Sequence, residues 1–360
     1  MARIRKSRIR SQRRPPRRSK RTQRRPPRRS KRTQRRPPRR SKSTQRRPPR
    51  RTPRRSKRIS RRTKSISSSS SSSPIIKKAK SNQIKKQIDN NFVSPLITFL
   101  KKPKVESTSY EGSILNQICE IIYFIKTYKP CYLIGSLMVT GGFETDDLAL
   151  SWDENTKTLY PPMGLEEGIK KCKLSNKRFS ILGIIIKTKQ GFHANFLLYD
   201  KNVNEIERFE PHGKGELTGK EINQAFKNLF AKFGIKYISQ IDFCPVLGPQ
   251  FFDEVYGKKL KTDPGGFCQA WSTYWISLRL ANPDISREIL MDKLMKSIKL
   301  GDFKNFIRNF SFYILQERDE ILKDFKLKFG YSWPEKPNSR QITDLETMLG
   351  DAIIESHRKN

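Results

Sequence analysis

Residues 1–80 hold 36 lysines and arginines and not one aspartate or glutamate. A segment of that composition repels itself and has almost nothing apolar to bury, so it cannot close a core and is expected to be disordered. The remaining 280 residues carry 40 basic against 34 acidic side chains, and with ordinary apolar content they can bury one substantial core. The formal charge of +42 therefore belongs to the tail, and any fold lies behind it. Three parts follow: a basic arm over 1–66, a serine- and lysine-rich linker over 67–110 that includes seven consecutive serines at 67–73, and a globular domain over 111–360.

The arm is a repeat. Arg-Arg-Pro-Pro-Arg-Arg begins at 13, 24, 35 and 46, a period of 11, each copy preceded by Ser-Gln or Thr-Gln. The proline pairs favour extended polyproline II, in which 80 residues reach at most about 250 Å. Such an arm is the footprint of a polyanion binder, and duplex nucleic acid is the densest polyanion available. With no aromatic side chain to stack on bases, binding is expected to phosphates and to be independent of sequence. A targeting or solubility tail is the plainer alternative.

Five cysteines, at 119, 131, 172, 244 and 268, form no C-x-x-C pair and are odd in number. This argues against a disulfide framework or a zinc ribbon and for a reducing compartment. No uncharged apolar run is long enough to span a bilayer, and the basic N-terminus lacks the apolar stretch of a secretory signal.

Within 111–360 the patterning is α+β. Ser113 is placed to cap a helix with apolar residues from Ile114 to Ile125 at helical spacing. The apolar stretch 132–139 stays unassigned, and 143–178 reads as a polar insertion. Strands are predicted over 179–187, 193–199 and 204–210, the last two as a hairpin about Asp200-Lys201-Asn202. A helix opens at Thr218, with Glu221 as its capping acid, and stops at Gly234. A strand is expected over 235–243, and a loop at Gly248-Pro249-Gln250. Three helices follow the segment Asn282-Pro283, over 286–298, 303–325 and 342–355.

The chemistry centres on Gly265-Gly266-Phe267-Cys268-Gln269-Ala270-Trp271. Trp271, Tyr274, Trp275 and Leu278 recur at helical spacing, so Cys268 opens a buried helix, where free backbone N–H groups and the helix dipole favour a thiolate. The plain alternative is a small buried hydrophobe. His193 begins a strand and Glu210 ends its hairpin partner, nearly opposite, so the carboxylate can orient the imidazole as a base for the thiol. Asn195 competes for that orienting role and His212 competes as base. His357 reads as a solvated residue of the C-terminal tail.

The order His193, Glu210, Gln250, Cys268 resembles that of the adenovirus protease and ubiquitin-like-protein protease family of cysteine proteases, in the versions carried by large DNA viruses. Phe209-Glu210-Pro211-His212-Gly213 and the cysteine segment carry the likeness, which covers about 180–282. Two features depart from that family: the cysteine is flanked by Phe267 and Gln269 rather than an acid and a glycine, and Gln250 lies 18 residues before it rather than six or seven. The resemblance implies a papain-like core, an antiparallel sheet packed on the cysteine helix, with extra C-terminal helices. It implies a thiol endopeptidase with Cys268 as nucleophile, His193 as base, Glu210 as its orienting acid and Gln250 as oxyanion donor.

Expected substrates are virion precursor proteins or ubiquitin-like conjugates, in a virion or in the host nucleus or cytoplasm. Neither a metal nor an organic cofactor is expected, and nucleic acid bound by 1–66 would act as a polyanionic activator. The second reading is a protamine-like DNA-condensing virion protein with an inert globular part.

Overall fold

The structure is a computed structural model that describes residues 98–100, 110–135, 137, 148–189, 191–215, 219–261 and 263–358. The arm over 1–66, most of the linker, the Gly141-Gly142 segment and Thr218 lie outside the described residues.

Ser113 caps helix α1 (Ile114–Tyr128) by accepting the Asn116 N–H at 3.2 Å. Every residue from Asn116 to Ile125 is buried, which makes α1 a central helix. Phe99, in the stretch the sequence assigns to the linker, is buried against Tyr274, Phe306 and Phe310. The fold thus reaches back at least that far.

Among the described residues seven strands form one sheet: β1 (Cys131–Tyr132), β2 (Ala149–Asp153), β3 (Thr158–Tyr160), β4 (Phe179–Thr188), β5 (Gly191–Asp200), β6 (Glu205–Arg208) and β7 (Lys236–Ile238). The order is β3-β2-β4-β5-β6-β7, and the short β1 also pairs with β4. The predicted hairpin is present: β5 and β6 are antiparallel, with Leu197 opposite Arg208. The sheet is mixed rather than antiparallel, because β1 and β2 run parallel to β4, and β7 runs parallel to β6. The parallel partners of β4 come from the stretches read as unassigned or inserted, or from their edge, whereas β7 lies in the strand expected over 235–243. Ala149-Leu150-Ser151-Trp152 is too short and too polar at its edges to announce itself, yet all four residues are buried beside β4. β4 is buried on both faces over 179–186, so it reads as a continuous apolar run without alternation.

The helices between and after the strands are α2 (Leu165–Leu174), α3 (Lys220–Ala231), α4 (Gln240–Phe243), α5 (Pro249–Tyr256), α6 (Cys268–Ala281), α7 (Arg287–Ser297), α8 (Phe303–Phe329) and α9 (Ser339–His357). Two local expectations fail here. The 235–243 strand ends at Ile238, because Ser239 and Asp242 make a reciprocal capping box that starts α4. The Gly248-Pro249-Gln250 loop is the start of α5, with Pro249 in the first turn, where its missing N–H is not needed.

Cys131 and Cys172 are joined in a disulfide, against the expectation of free thiols. His357 is no solvated tail residue either: it closes α9 and its Nε2 lies 2.8 Å from the Tyr132 carbonyl. No helix among the described residues is long and apolar enough to cross a membrane.

Candidate active site

α6 is buried on all sides from Gln269 to Arg279, so each of its polar side chains needs a partner. Gln269 Nε2 and Thr273 Oγ1 both donate to Glu120 Oε2 on α1, each at 2.9 Å. Trp271 Nε1 donates to Asp253 on α5 at 2.7 Å, and Trp275 Nε1 to Glu207 on β6 at 3.2 Å. Ser272 Oγ donates to Asn195 Oδ1 and accepts the Phe196 N–H at 2.9 Å. These bonds tie the helix to α1, α5, β5 and β6 at once and thereby fix where its first residue, Cys268, can be. They also decide the role of Asn195. Its amide holds Phe209 and Ser272, so it supports the frame and does not orient His193.

β5 leaves the core at its N-terminal end: 195–200 are buried, His193 and Ala194 are half-buried, and Gly191 and Phe192 are exposed. His193 is thus delivered to the rim of the sheet, where its ring and the Ala194 N–H act on the Cys268 sulfur and favour its thiolate. Phe267, the residue before the helix, provides no side-chain cap, which leaves the first-turn N–H groups of α6 without one.

Glu210 lies two residues past the end of β6, and continuing the register would put His212 rather than Glu210 opposite His193. The acid reaches His193 diagonally, its Oε1 3.2 Å from His193 Nε2, and it is fully buried. His212 sits on the other side of that carboxylate. Its Nδ1 is 3.6 Å from Glu210 Oε1 and its Nε2 is 3.3 Å from Glu254 Oε1.

Gln250 is brought close by backbone contact. The turn at 211–213 and the start of α5 pack main chain on main chain, with Gln250 N donating to Pro211 O at 3.0 Å and Gly248 N to His212 O at 2.9 Å. Gly213 has φ +98, and a Cβ there would come within 2.6 Å of Gly248 N, so both the turn and the contact require glycine. The Gln250 side chain is buried and donates to Glu254 Oε1 at 2.8 Å. Its Nε2 is 3.0 Å from where a Cβ on Gly266 would stand, which sets it against the loop that leads into Cys268.

The electrostatics follow from these neighbours. Burial alone would raise the Cys268 pKa, but the charge of His193, its hydrogen bond and the Ala194 N–H outweigh burial and lower it. Burial likewise opposes ionisation of His193 and Glu210. Their mutual attraction, with the Cys268 thiolate adding to it, raises His193 well above its ordinary value and holds Glu210 well below the carboxylate range. Burial also works against His212, yet Glu210 and Glu254 bring it up to about 9. These neighbours therefore favour a thiolate at Cys268 and an imidazolium at His193, with a carboxylate behind. The contrast with the other free thiols is clear: Cys119 and Cys244 are buried and each is pushed up to about 12, chiefly by burial, whereas Cys268 is partly exposed.

The structure thus brings together His193, Glu210, Gln250 and Cys268. Two participants were missed. Glu254 holds both Gln250 and His212, and it would have been found one turn after Gln250 had the proline start of α5 been read as a helix. Glu120, buried beneath α6 and pushed up to about 7 by that burial, shows in the sequence only as an acid inside an apolar helical stretch.

The family assignment does not survive comparison with known proteins. No family model matches the chain. A curated protein it does match is named for ankyrin repeats and comes from Acanthamoeba polyphaga mimivirus; the two are 27% identical over 263 residues, covering 63% of this chain. The chain spans about a third, 34%, of that relative's length. The resemblance to the adenovirus protease family, and the papain-like core, protease and hydrolase designations drawn from it, are accordingly withdrawn. The physical reason is that the same four roles recur in different orders on unrelated folds, so residue order over about a hundred positions is weak evidence of descent. The described residues are themselves built on a mixed seven-stranded sheet, with helices from 4 to 27 residues long, rather than on a stack of equal helix pairs.

Proposed function

We propose that the chain is a cysteine-dependent acyl-transfer enzyme that cleaves amide bonds in protein substrates, with Cys268 as nucleophile. The observation that carries this reading is the contrast among the free cysteines: the partly exposed one at a helix start has its thiolate favoured by an imidazole that a buried carboxylate charges, while the two buried ones are held as thiols. Cys268 Sγ attacks the carbonyl carbon, and the C–S bond forms as negative charge develops on oxygen. The Cys268 N–H and the second N–H of Gln250, whose first is given to Glu254, are the candidate donors to that oxyanion. His193 passes its proton to the departing amine as the C–N bond breaks. It then takes a proton from the water that releases the thioester. Glu210 keeps the ring oriented and its charge balanced throughout.

The arm over 1–66 is assigned to nucleic acid on charge alone, and it would hold the enzyme on a polyanion. The viral source of the relative favours substrates among virion proteins or ubiquitin-like conjugates, in the virion or the infected cell. A proteome-derived peptide library exposed to the full chain should acquire new N-termini, and a peptide vinyl sulfone should label Cys268. Both should vanish in Cys268→Ala. Absence of cleavage and labelling in a folded wild-type sample would leave the DNA-condensing alternative as the account of the chain.

A further inference from the structure

The buried carboxylate and the two imidazoles beside it are poorly satisfied as hydrogen-bonding partners. His193 Nε2, His212 Nδ1 and Glu210 Oε2 are each buried without a hydrogen bond, although the ring nitrogens lie only 3.2 and 3.6 Å from Glu210 Oε1. The N–H vectors do not line up with the oxygen they approach. Orphaned buried polar atoms are costly, and although others occur in the fold, such as Ser151 Oγ and Tyr274 OH, only here do two bare ring nitrogens approach one carboxylate among the described residues. One ligand atom from each of His193, Glu210 and His212 lies within 4.8 Å of the others. Ligand atoms held 2.0–2.1 Å from a tetrahedral zinc ion are about 3.4 Å apart, and the two spacings above straddle that value.

The outer shell is also in place. His212 turns Nε2 to Glu254 Oε1 at 3.3 Å, the carboxylate contact that fixes the tautomer and orientation of a metal-binding imidazole. Glu254 is in turn held by Gln250. Two imidazoles and a carboxylate suit zinc and its neighbours among the divalent transition metals, and poorly suit calcium or magnesium, which prefer all-oxygen sites.

We propose that His193 Nε2, Glu210 and His212 Nδ1 form a binding site for a divalent transition-metal ion of the zinc type, and that occupancy of this site and thiol catalysis exclude one another. The ion takes the Nε2 lone pair of His193 and neutralises Glu210. The ring can then no longer become an imidazolium, and its remaining N–H is too weak an acid to protonate a departing amine. Binding itself does not depend on the thiol chemistry; only the inhibitory consequence rests on the function proposed above.

The test uses the full chain with its Cys131–Cys172 disulfide intact and the substitution Cys268→Ala, so that neither the nucleophile nor those two cysteines can ligate. Titration with zinc chloride by calorimetry should show one equivalent bound, and cobalt(II) should give the visible absorption of a four-coordinate site. Adding His212→Asn should weaken zinc binding at least about 100-fold, and adding Glu254→Gln instead should weaken it about 10-fold. Circular dichroism verifies that each variant is folded, and should His212→Asn fail to fold, Glu254→Gln decides alone. No bound equivalent, or binding unchanged in the folded variants, overturns the proposal. Those outcomes are read without any turnover, so they are distinct from failure of the thiol reading. With the wild-type chain, zinc should suppress cleavage of the peptide library at least 10-fold. Cleavage that persists with the site filled overturns the mutual exclusion.

Discussion

Selective alkylation of Cys268 is the sharpest consequence of the site's electrostatics. Cys119 and Cys244 are pushed up to about 12, so at pH 7 only about 1 in 10⁵ of either is thiolate. Cys268 is lowered from an ordinary value of 9.0, so at least roughly 1% of it is ionised at pH 7. The ratio of thiolate is then about 10³. The more basic thiolates are intrinsically more nucleophilic, and with a Brønsted slope of about 0.45 over about 3 pH units they recover some 20-fold. A preference of about 50-fold for Cys268 remains before access is counted, and the partial exposure of Cys268 against the burial of the other two can only enlarge it. The assay is timed reaction with iodoacetamide under non-reducing conditions, followed by peptide mass spectrometry. In His193→Ala the burial that raises the thiol is left unopposed by the imidazolium, so alkylation at pH 6–7 should drop more than about 10-fold. Equal labelling of Cys119 or Cys244, or a Cys268 profile that the His193 substitution does not move, would refute the reasoning.

Gln250→Ala should lower turnover about 10²- to 10³-fold while leaving iodoacetamide labelling of Cys268 near wild type, because an oxyanion donor acts on the transition state and not on the thiol. His212 is raised to about 9, so the stability it contributes is fully present below its unfolded value near 6.5 and is lost as pH rises through 9. Urea denaturation should show a decline over that window of which His212→Gln removes on the order of 3 kcal/mol. Reducing the disulfide, whose cysteines are 41 residues apart, should cost about 4 kcal/mol and about 8–16 °C in Tm, measured calorimetrically with and without reductant. Deleting residues 1–73 should remove most affinity for duplex DNA and flatten its salt dependence, and a truncated chain with an unchanged salt slope would assign the arm to something else.

Helices with whole apolar faces were legible in the sequence, among them α1 with its Ser113 cap and α6 with its tryptophans. So were the β5–β6 hairpin and the three C-terminal helices, where pattern and punctuation agree. The parallel partners of β4 were not. β1 and β2 take their burial from pairing with β4, and β1 also from α9 far along the chain, and neither source leaves a local period. The disulfide was hidden for a related reason: with odd cysteines at long spacings, only the pairing of β1 with β4 and the placement of α2 bring Cys131 and Cys172 together.

The site was legible as residue types and illegible as geometry. Cys268, His193, Glu210 and Gln250 could be chosen because each sits beside a punctuating glycine, turn or strand end, where a side chain can leave the core. What brings them together is not encoded near any of them. Cys268 is placed by bonds from Gln269, Trp271, Ser272, Thr273 and Trp275 to four other elements, and Gln250 by the contact of Gly213 with Gly248. A thiolate and an imidazolium are favoured here because the frame keeps one carboxylate behind them and spends three other buried acids, Glu120, Asp253 and Glu207, on holding α6. The ring nitrogens facing Glu210 stand outside that frame: the bonds that place Cys268 are made, while His193 Nε2 and His212 Nδ1 approach one buried carboxylate without a hydrogen bond. Two bare ring nitrogens on one buried carboxylate are the arrangement that the proposed metal ion would satisfy.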